Sequence, residues 1–278
     1  MYALILAGGS GTRQRPLRGT SDPQALRRTS DGRTLLEHTV ERLYPLVAPD
    51  DVVVVTDRRH GQIVREQLPA ARIVVEPLNR GTAASLALGT AAVERPPEEA
   101  MVVACADHEI EREEELREAL SLTATWVVGE AGDNGRLPLV TFGIRPTSAD
   151  GELTYLQPSY NTVLRAGALR LYPVQSVEAK PDRGRTRQLY ESGMSYWNSG
   201  IFIWQRGAIQ DAITRYTPLF TMLSPAHRSE IALAAAYDRL QPLSIDEAVL
   251  VGAARDGSVL TAPLDVGWRE LIDPGPAA

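Results

Sequence analysis

The residues best suited to chemistry stand near the start of the chain, where the apolar run Tyr2-Ala-Leu-Ile-Leu-Ala7 breaks into Gly8-Gly9-Ser10-Gly11-Thr12-Arg13. A buried strand that ends this way delivers bare backbone N–H groups to an anion. The glycines admit a phosphate where a Cβ would obstruct it, and Arg13 adds a forked cation. The pattern predicts a phosphate cradle. Its spacing matches neither the phosphate loop that closes in Gly-Lys-Ser/Thr nor the dinucleotide fingerprint, so it points to neither a kinase nor a dehydrogenase. Taken alone, the stretch also reads as a plain glycine-rich strand-to-helix turn.

Other candidates are spread along the chain. Of its 29 Lys+Arg residues only Lys180 is lysine, a compact point charge where arginine would present a wide planar fork. Glu76-Pro77 and Ala106-Asp107-His108 each follow an apolar run. His38 and His60 have no ligand-type spacing around them and read as structural or exposed. Cys105, the single cysteine, closes the run Met101-Val-Val-Ala-Cys105 and reads as a buried structural thiol.

The elements that must position these residues alternate in kind. Residues 51–56, 71–75 and 100–105 are short continuous apolar runs, as expected of parallel strands covered on both faces. Between them, 34–43 has apolar residues at 35, 36, 40 and 43 with Thr34 and Glu37 placed as a capping box, and 60–67 and 82–93 read as helices. This order predicts an α/β fold: an open, mostly parallel, Rossmann-like sheet with helices on both faces. Ligands in such sheets bind beyond the carboxyl ends of the strands, where Gly8, Glu76 and Asp107 all fall. Further on, 139–144, 169–177 and 197–203 read as strands, 185–192, 209–216 and 229–240 as helices, and 146–168 as loop-rich. With no repeat, low-complexity tract or linker, residues 1–278 read as one domain.

Composition narrows the classes. A net charge of −6 argues against general nucleic-acid or anionic-membrane binding, and 44% hydrophobic content is that of an ordinary globular chain. No segment is long and apolar enough to span a bilayer, and a start that enters a strand at once predicts a cytoplasmic protein.

The order of motifs carries a resemblance. Leu6-Ala-Gly-Gly-Ser-Gly-Thr-Arg13 with Pro16-Leu17, Glu76-Pro77 with Arg80 and Thr82-Ala83, Ala106-Asp107-His108 and Val140-Thr-Phe-Gly-Ile144 stand in the first half and middle of the chain. Lys180-Pro181-Asp182, Trp197-Asn198-Ser199-Gly200, Ser244-Ile245-Asp246 and Gly267-Trp268 follow. Together they resemble the sugar-phosphate nucleotidylyltransferases, most closely the mannose-1-phosphate guanylyltransferases. The resemblance implies a glycosyltransferase-A-like architecture with a nucleotide-binding half (1–138) and a sugar-phosphate-binding half (139–278). It also implies the reaction, attack of a sugar 1-phosphate oxygen on the α-phosphorus of a nucleoside triphosphate with loss of pyrophosphate. On this resemblance Ala7, Gly8, Gly9, Ser10, Gly11, Thr12, Arg13, Gln24, Glu76, Arg80 and Thr82 would bind the nucleotide. Gly143, Glu178, Lys180, Asn198 and Gly200 would bind the sugar phosphate, and Asp107 and Glu270 would hold Mg²⁺. Arg13, Asp107 and Lys180 would be the catalytic set, and a homodimer is the candidate assembly. Three local alternatives stay open: Asp107 as a helix N-cap before Glu109-Ile-Glu-Arg, Asn198 as a turn residue, and Trp197 and Trp268 as packing residues.

The chain departs from the family pattern at named places. Pro23 stands where the family carries a lysine, Ala179 where it carries a glutamate before Lys-Pro and Glu270 where it carries a second metal-binding aspartate, and the base loop reads Asn79-Arg80-Gly81-Thr82. Glu178 adjoins Ala179, but neighbouring side chains of a strand point to opposite faces. These departures define a second expectation, a noncatalytic relative that binds nucleotide or sugar phosphate as a regulatory subunit.

Overall fold

β1 (Tyr2–Leu6) is buried along its whole length, with Tyr2, Leu4 and Leu6 facing one core cluster and Ala3 and Ile5 the other. Side chains alternate across a strand, so one that is apolar at every position must be covered on both sides. The computed structural model describes residues 1–8, 24–130 and 136–270. In it β1 lies between β2 (Val52–Asp57) and β4 (Ala100–Cys105), with β3 (Arg72–Glu76) outside β2, all four parallel. The intervening helices are α1 (Leu35–Glu41), α2 (Gly61–Gln67) and α3 (Thr82–Ala92). The predicted capping box of α1 is present: Thr34 Oγ1 accepts from the Glu37 N–H, and the Glu37 carboxylate accepts from the Thr34 N–H.

The remaining elements are β5 (His108–Glu109), α4 (Glu113–Gly129), β6 (Leu139–Ile144), β7 (Tyr155–Pro158), β8 (Leu164–Ala166), β9 (Leu169–Glu178), α5 (Arg183–Ser192) and β10 (Tyr196–Gln205). After them come α6 (Arg206–Tyr216), α7 (Leu219–Ala226), α8 (Glu230–Asp238), α9 (Val251–Arg255), β11 (Val259–Pro263) and β12 (Arg269–Glu270). One ten-stranded sheet runs through both halves in the order β3-β2-β1-β4-β10-β6-β11-β9-β7, with β8 on β9. β10 joins the halves by pairing antiparallel with both β4 and β6, and β11 runs parallel to β6. Apolar residues of α3 and α6 to α9 fill one core cluster, and those of α1, α2, α4 and α5 the other. The doubly covered sheet expected from the sequence is therefore the one found, with antiparallel pairs added in its second half.

α4, α7 and β11 stand where the sequence pattern carries no prediction. In α4 three glutamates form the first turn and the apolar face begins only at Leu116, continuing through Leu120 and Val127. Because α4 starts at Glu113, Asp107 caps no helix; it sits in the turn between β4 and β5. Among the described residues no helix is long and apolar enough to cross a membrane.

Candidate active site

β1, β3 and β4 end on the same edge of the sheet, and beyond them opens a cleft of about 670 Å³. Seven of the sequence candidates line it: Gly8 after β1, Thr82 at the start of α3, Asp107 after β4, Lys180 after β9, Asn198 and Gly200 on β10, and Glu270 on β12. They lie at scattered places in the chain, and the sheet order brings them to one wall-to-wall space.

The nucleotide-side candidates divide. The N-terminus of α3 borders the cleft, and although its Ala83 N–H is taken by the Leu243 carbonyl at 3.2 Å, the helix dipole there favours an anion. The 243–245 segment docks it further: the Ile245 N–H donates to Thr82 Oγ1 at 2.9 Å, and Gly81 packs so closely that an added Cβ would lie 2.2 Å from the Leu243 carbonyl oxygen. Gly81 also has a φ of +81°, which glycine adopts without strain. Glu76, by contrast, is not in the cleft. Its side chain is buried beneath Gly8, accepting from Ser85 Oγ at 2.9 Å and from the Tyr237 hydroxyl at 3.3 Å. Burial raises its carboxyl to about 7 against the pull of those two donors, and the nearby Asp57 charge adds to the rise. Gly8 is required there, since a Cβ would meet Glu76 Oε1 at 2.6 Å.

Arg80 and Ala7 are likewise turned away. Arg80 Nε donates to the Tyr237 carbonyl at 2.9 Å, which ties the loop to α8, and the Ala7 side chain is in the core. Gln24 stands on a short 3₁₀ turn, Gln24–Leu26, and is not among the cleft-lining residues. Gly9, Ser10, Gly11, Thr12, Arg13 and Pro23 lie outside the described residues.

Asp107 stands at the mouth of β4 with Oδ1 buried and accepting no hydrogen bond among the described residues. The two-stranded ladder of β5 and β12 pairs Glu270 with His108, the residue next to Asp107. Both carboxylates line the cleft, and hard oxygen donors are the kind that Mg²⁺ takes. Trp268 holds this corner: its Nε1 donates to the Ser199 carbonyl at 3.1 Å, and its ring meets His108 edge-on at 5.1 Å. Trp197 is a packing residue, buried edge-on against Tyr155 at 6.5 Å. Cys105 is half-buried and lines the cleft, which corrects the expectation of a core thiol; the strand ends at that residue and its cover ends with it.

Asn198 is no simple turn residue. Its Oδ1 accepts from Thr141 Oγ1 at 2.6 Å, and its Nδ2 donates to Asp246 Oδ1 at 2.6 Å. Asp246 in turn accepts from Thr154 Oγ1 at 3.0 Å through its other oxygen. Asp246 and its neighbour Glu247 both line the cleft, and neither was a sequence candidate for the site. A local signal for that segment was present, because Ser244 and Glu247 form a capping box: Ser244 N–H and Oγ donate to Glu247 Oε2, and Glu247 N–H donates to Ser244 Oγ. Gly143 pairs with Asn198 inside the sheet, where a Cβ would strike Thr261 Oγ1 and Tyr196, so it supports the cleft floor without lining it. Glu178 is turned away, its carboxylate clamped by Arg185 Nε at 2.8 Å and Nη2 at 2.5 Å. Lys180 has φ +45°, the left-handed conformation that a residue with a Cβ rarely adopts, and its Nζ lies 3.9 Å from Glu152 Oε2.

Residues 2–236 match the Nucleotidyl transferase family. The chain is 31% identical to the alginate biosynthesis protein AlgA of Pseudomonas fluorescens over 98% of its own length and 56% of that protein. It is 28% identical to the mannose-1-phosphate guanylyltransferase of Escherichia coli, again over 98% of this chain and 58% of that one. The chain belongs to the nucleotidyl transferase family. It spans a little over half the length of these curated relatives. Among solved structures, a Thermus thermophilus protein described as mannose-1-phosphate geranyltransferase superposes with a TM-score of 0.77 at 29% identity, covering 97% of this chain and 75% of that one. A Helicobacter pylori protein described as mannose-6-phosphate isomerase shares the fold with a TM-score of 0.71 at 20% identity, covering 96% of this chain and 98% of that one. In this nucleotidyl transferase, then, the cleft beyond β1, β3 and β4 is the place where the family's chemistry would be sought.

Proposed function

We propose that the chain joins a sugar 1-phosphate to a nucleoside triphosphate, giving a nucleotide-sugar and pyrophosphate, with GTP and mannose 1-phosphate or a related hexose or heptose 1-phosphate as substrates. The observation that carries this reading is the convergence on one cleft of a helix N-terminus, a carboxylate pair and the chain's single lysine. The relatives named as mannose-1-phosphate guanylyltransferase and the family match support the choice of substrates. The cytoplasm, where nucleoside triphosphates are made, is the setting this chemistry asks for.

The reaction asks for alignment and charge neutralisation more than for covalent chemistry. Backbone N–H groups at Gly8 and at the start of α3 would receive triphosphate oxygens, with Arg13 as a further cation. Lys180 would hold the sugar phosphate on the opposite wall, so that its oxygen faces the α-phosphorus in line with the departing pyrophosphate. Asn198, held by Thr141 and Asp246, would present its amide edge to the sugar. Asp107 and Glu270 would hold Mg²⁺, which when bound neutralises developing charge on phosphate oxygens.

The test is pyrophosphate release by purified protein with Mg²⁺, a panel of nucleoside triphosphates and several hexose and heptose 1-phosphates. Turnover with one pair is expected. Nucleotide binding without turnover for any pair would replace this reading with the second one, a nucleotide- or sugar-phosphate-binding regulatory subunit, which Pro23, Ala179 and Glu270 favour.

A further inference from the structure

The end of β4 carries a chemically mixed cluster, of which the reaction above uses only Asp107. Sγ of Cys105, a carboxylate oxygen of Asp107 and a ring nitrogen of His108 lie within 4.8 Å of one another. The His108 ring is aimed at the carboxylate, with Nε2 3.5 Å from Asp107 Oδ1, and its exposure is only 6%. Neither His108 Nδ1 nor Asp107 Oδ1, both buried, finds a hydrogen-bond partner among the described residues. Asp107 Oδ1 is thus left for a bound ion to satisfy, with the Nε2 edge of the imidazole facing it.

The room for an ion is provided by Gly200. Its φ of +70° turns the backbone of β10 past the cluster, and an added Cβ would sit 3.0 Å from His108 Cε1 and 3.7 Å from Cys105 Sγ. A side chain at that position would fill the space in front of both ligands. The Trp268 ring packs edge-on against the imidazole at 5.1 Å.

We propose that Cys105, Asp107 and His108 form a site for a thiophilic transition-metal dication, Zn²⁺ in the first instance. Thiolate and imidazole select zinc-class ions over Mg²⁺, which prefers oxygen alone. Three protein ligands leave a fourth tetrahedral position for water or a substrate oxygen, as in open zinc sites. Ligation requires the thiolate, so Cys105 releases its proton to solvent as the metal binds. Asp107 belongs to both ligand sets, so a zinc ion and the Mg²⁺ invoked above exclude one another; that consequence alone rests on the proposed function.

Co²⁺ is the probe, because thiolate ligation gives a charge-transfer band that oxygen or nitrogen ligation does not. Cobalt titrated into the purified chain, reduced with a phosphine and free of substrates, should develop that band and saturate at one ion per chain. Cys105→Ser, an isosteric change at a half-buried position, should abolish the band while circular dichroism stays unchanged. Asp107→Asn should weaken Co²⁺ binding by more than about tenfold, since loss of even an outer partner of a metal ligand costs that much. No band in the wild-type chain, or a band that persists in Cys105→Ser, would overturn the site. Either result would leave the Mg²⁺-dependent reaction standing, because ligation by Asp107 and Glu270 needs neither thiol nor imidazole.

Discussion

Asn198 and Asp246 are 48 residues apart in sequence and joined by a hydrogen bond of 2.6 Å, from the asparagine amide to the aspartate. With Thr141 holding the amide oxygen, the Asn198 side chain has one orientation, and Asp246 determines which edge faces the cleft. Removing a hydrogen bond to a charged group costs about 1.5–3 kcal/mol, or about tenfold to a hundredfold in an equilibrium. Asp246→Ala should therefore lower kcat/KM for the sugar 1-phosphate by about that factor, chiefly through KM. If the two residues act as one unit, Asn198→Ala combined with Asp246→Ala will cost no more than the worse single change.

Asp107→Asn separates chemistry from fold. Oδ1 makes no hydrogen bond among the described residues, so the substitution should change stability by less than about 1 kcal/mol in urea unfolding. Mg²⁺-dependent pyrophosphate release, by contrast, should be lost. Unfolding of the variant at the wild-type midpoint together with undiminished turnover would contradict the placement.

Gly8→Ala tests the contact beneath the glycine turn. A Cβ 2.6 Å from Glu76 Oε1 must push either the turn or the buried carboxyl, and overpacking of this kind costs about 1–3 kcal/mol. The loss should appear in thermal or urea unfolding of Gly8→Ala. Adding Glu76→Ala should relieve part of it, giving a double-mutant cycle with a favourable coupling term.

The same buried carboxyl gives stability a pH slope. Glu76 has its carboxyl raised from 4.5 to about 7, so the folded chain holds a proton that the unfolded chain releases. Its contribution is fully present below pH 4.5, declines as pH rises, and is gone once pH passes about 7, amounting to about 3 kcal/mol. Glu76→Gln keeps an acceptor for Ser85 and Tyr237 without an ionisable group. Urea unfolding across that pH window should show a shallower decline for the variant than for the wild type.

Glu178→Gln tests the correction to the sugar-side set. With its carboxylate spent on Arg185 and turned from the cleft, Glu178 should be replaceable with KM for the sugar phosphate changed by less than about twofold. A rise of tenfold or more in steady-state measurements would return it to the site.

The local features were legible in the chain order: apolar runs that had to be strands covered twice, and the Thr34 and Glu37 box that starts α1. These rest on interactions among near neighbours, whose periodicity and type are written in the chain order. It also placed Asp107, Thr82 and Lys180 correctly at ends of elements, since strand ends are where such sheets bind ligands. Only the tertiary structure decided which candidates face the cleft. Glu76 follows the same motif logic as Asp107, yet α3 and α8 close over it through Ser85 and Tyr237 and bury it. Glu178 is turned aside by Arg185 on the following helix, and Asp246 enters the site through a contact across 48 residues. Such outcomes depend on how distant elements pack, on burial and on the competition of neighbouring donors, none of which has a period or a spacing in the sequence.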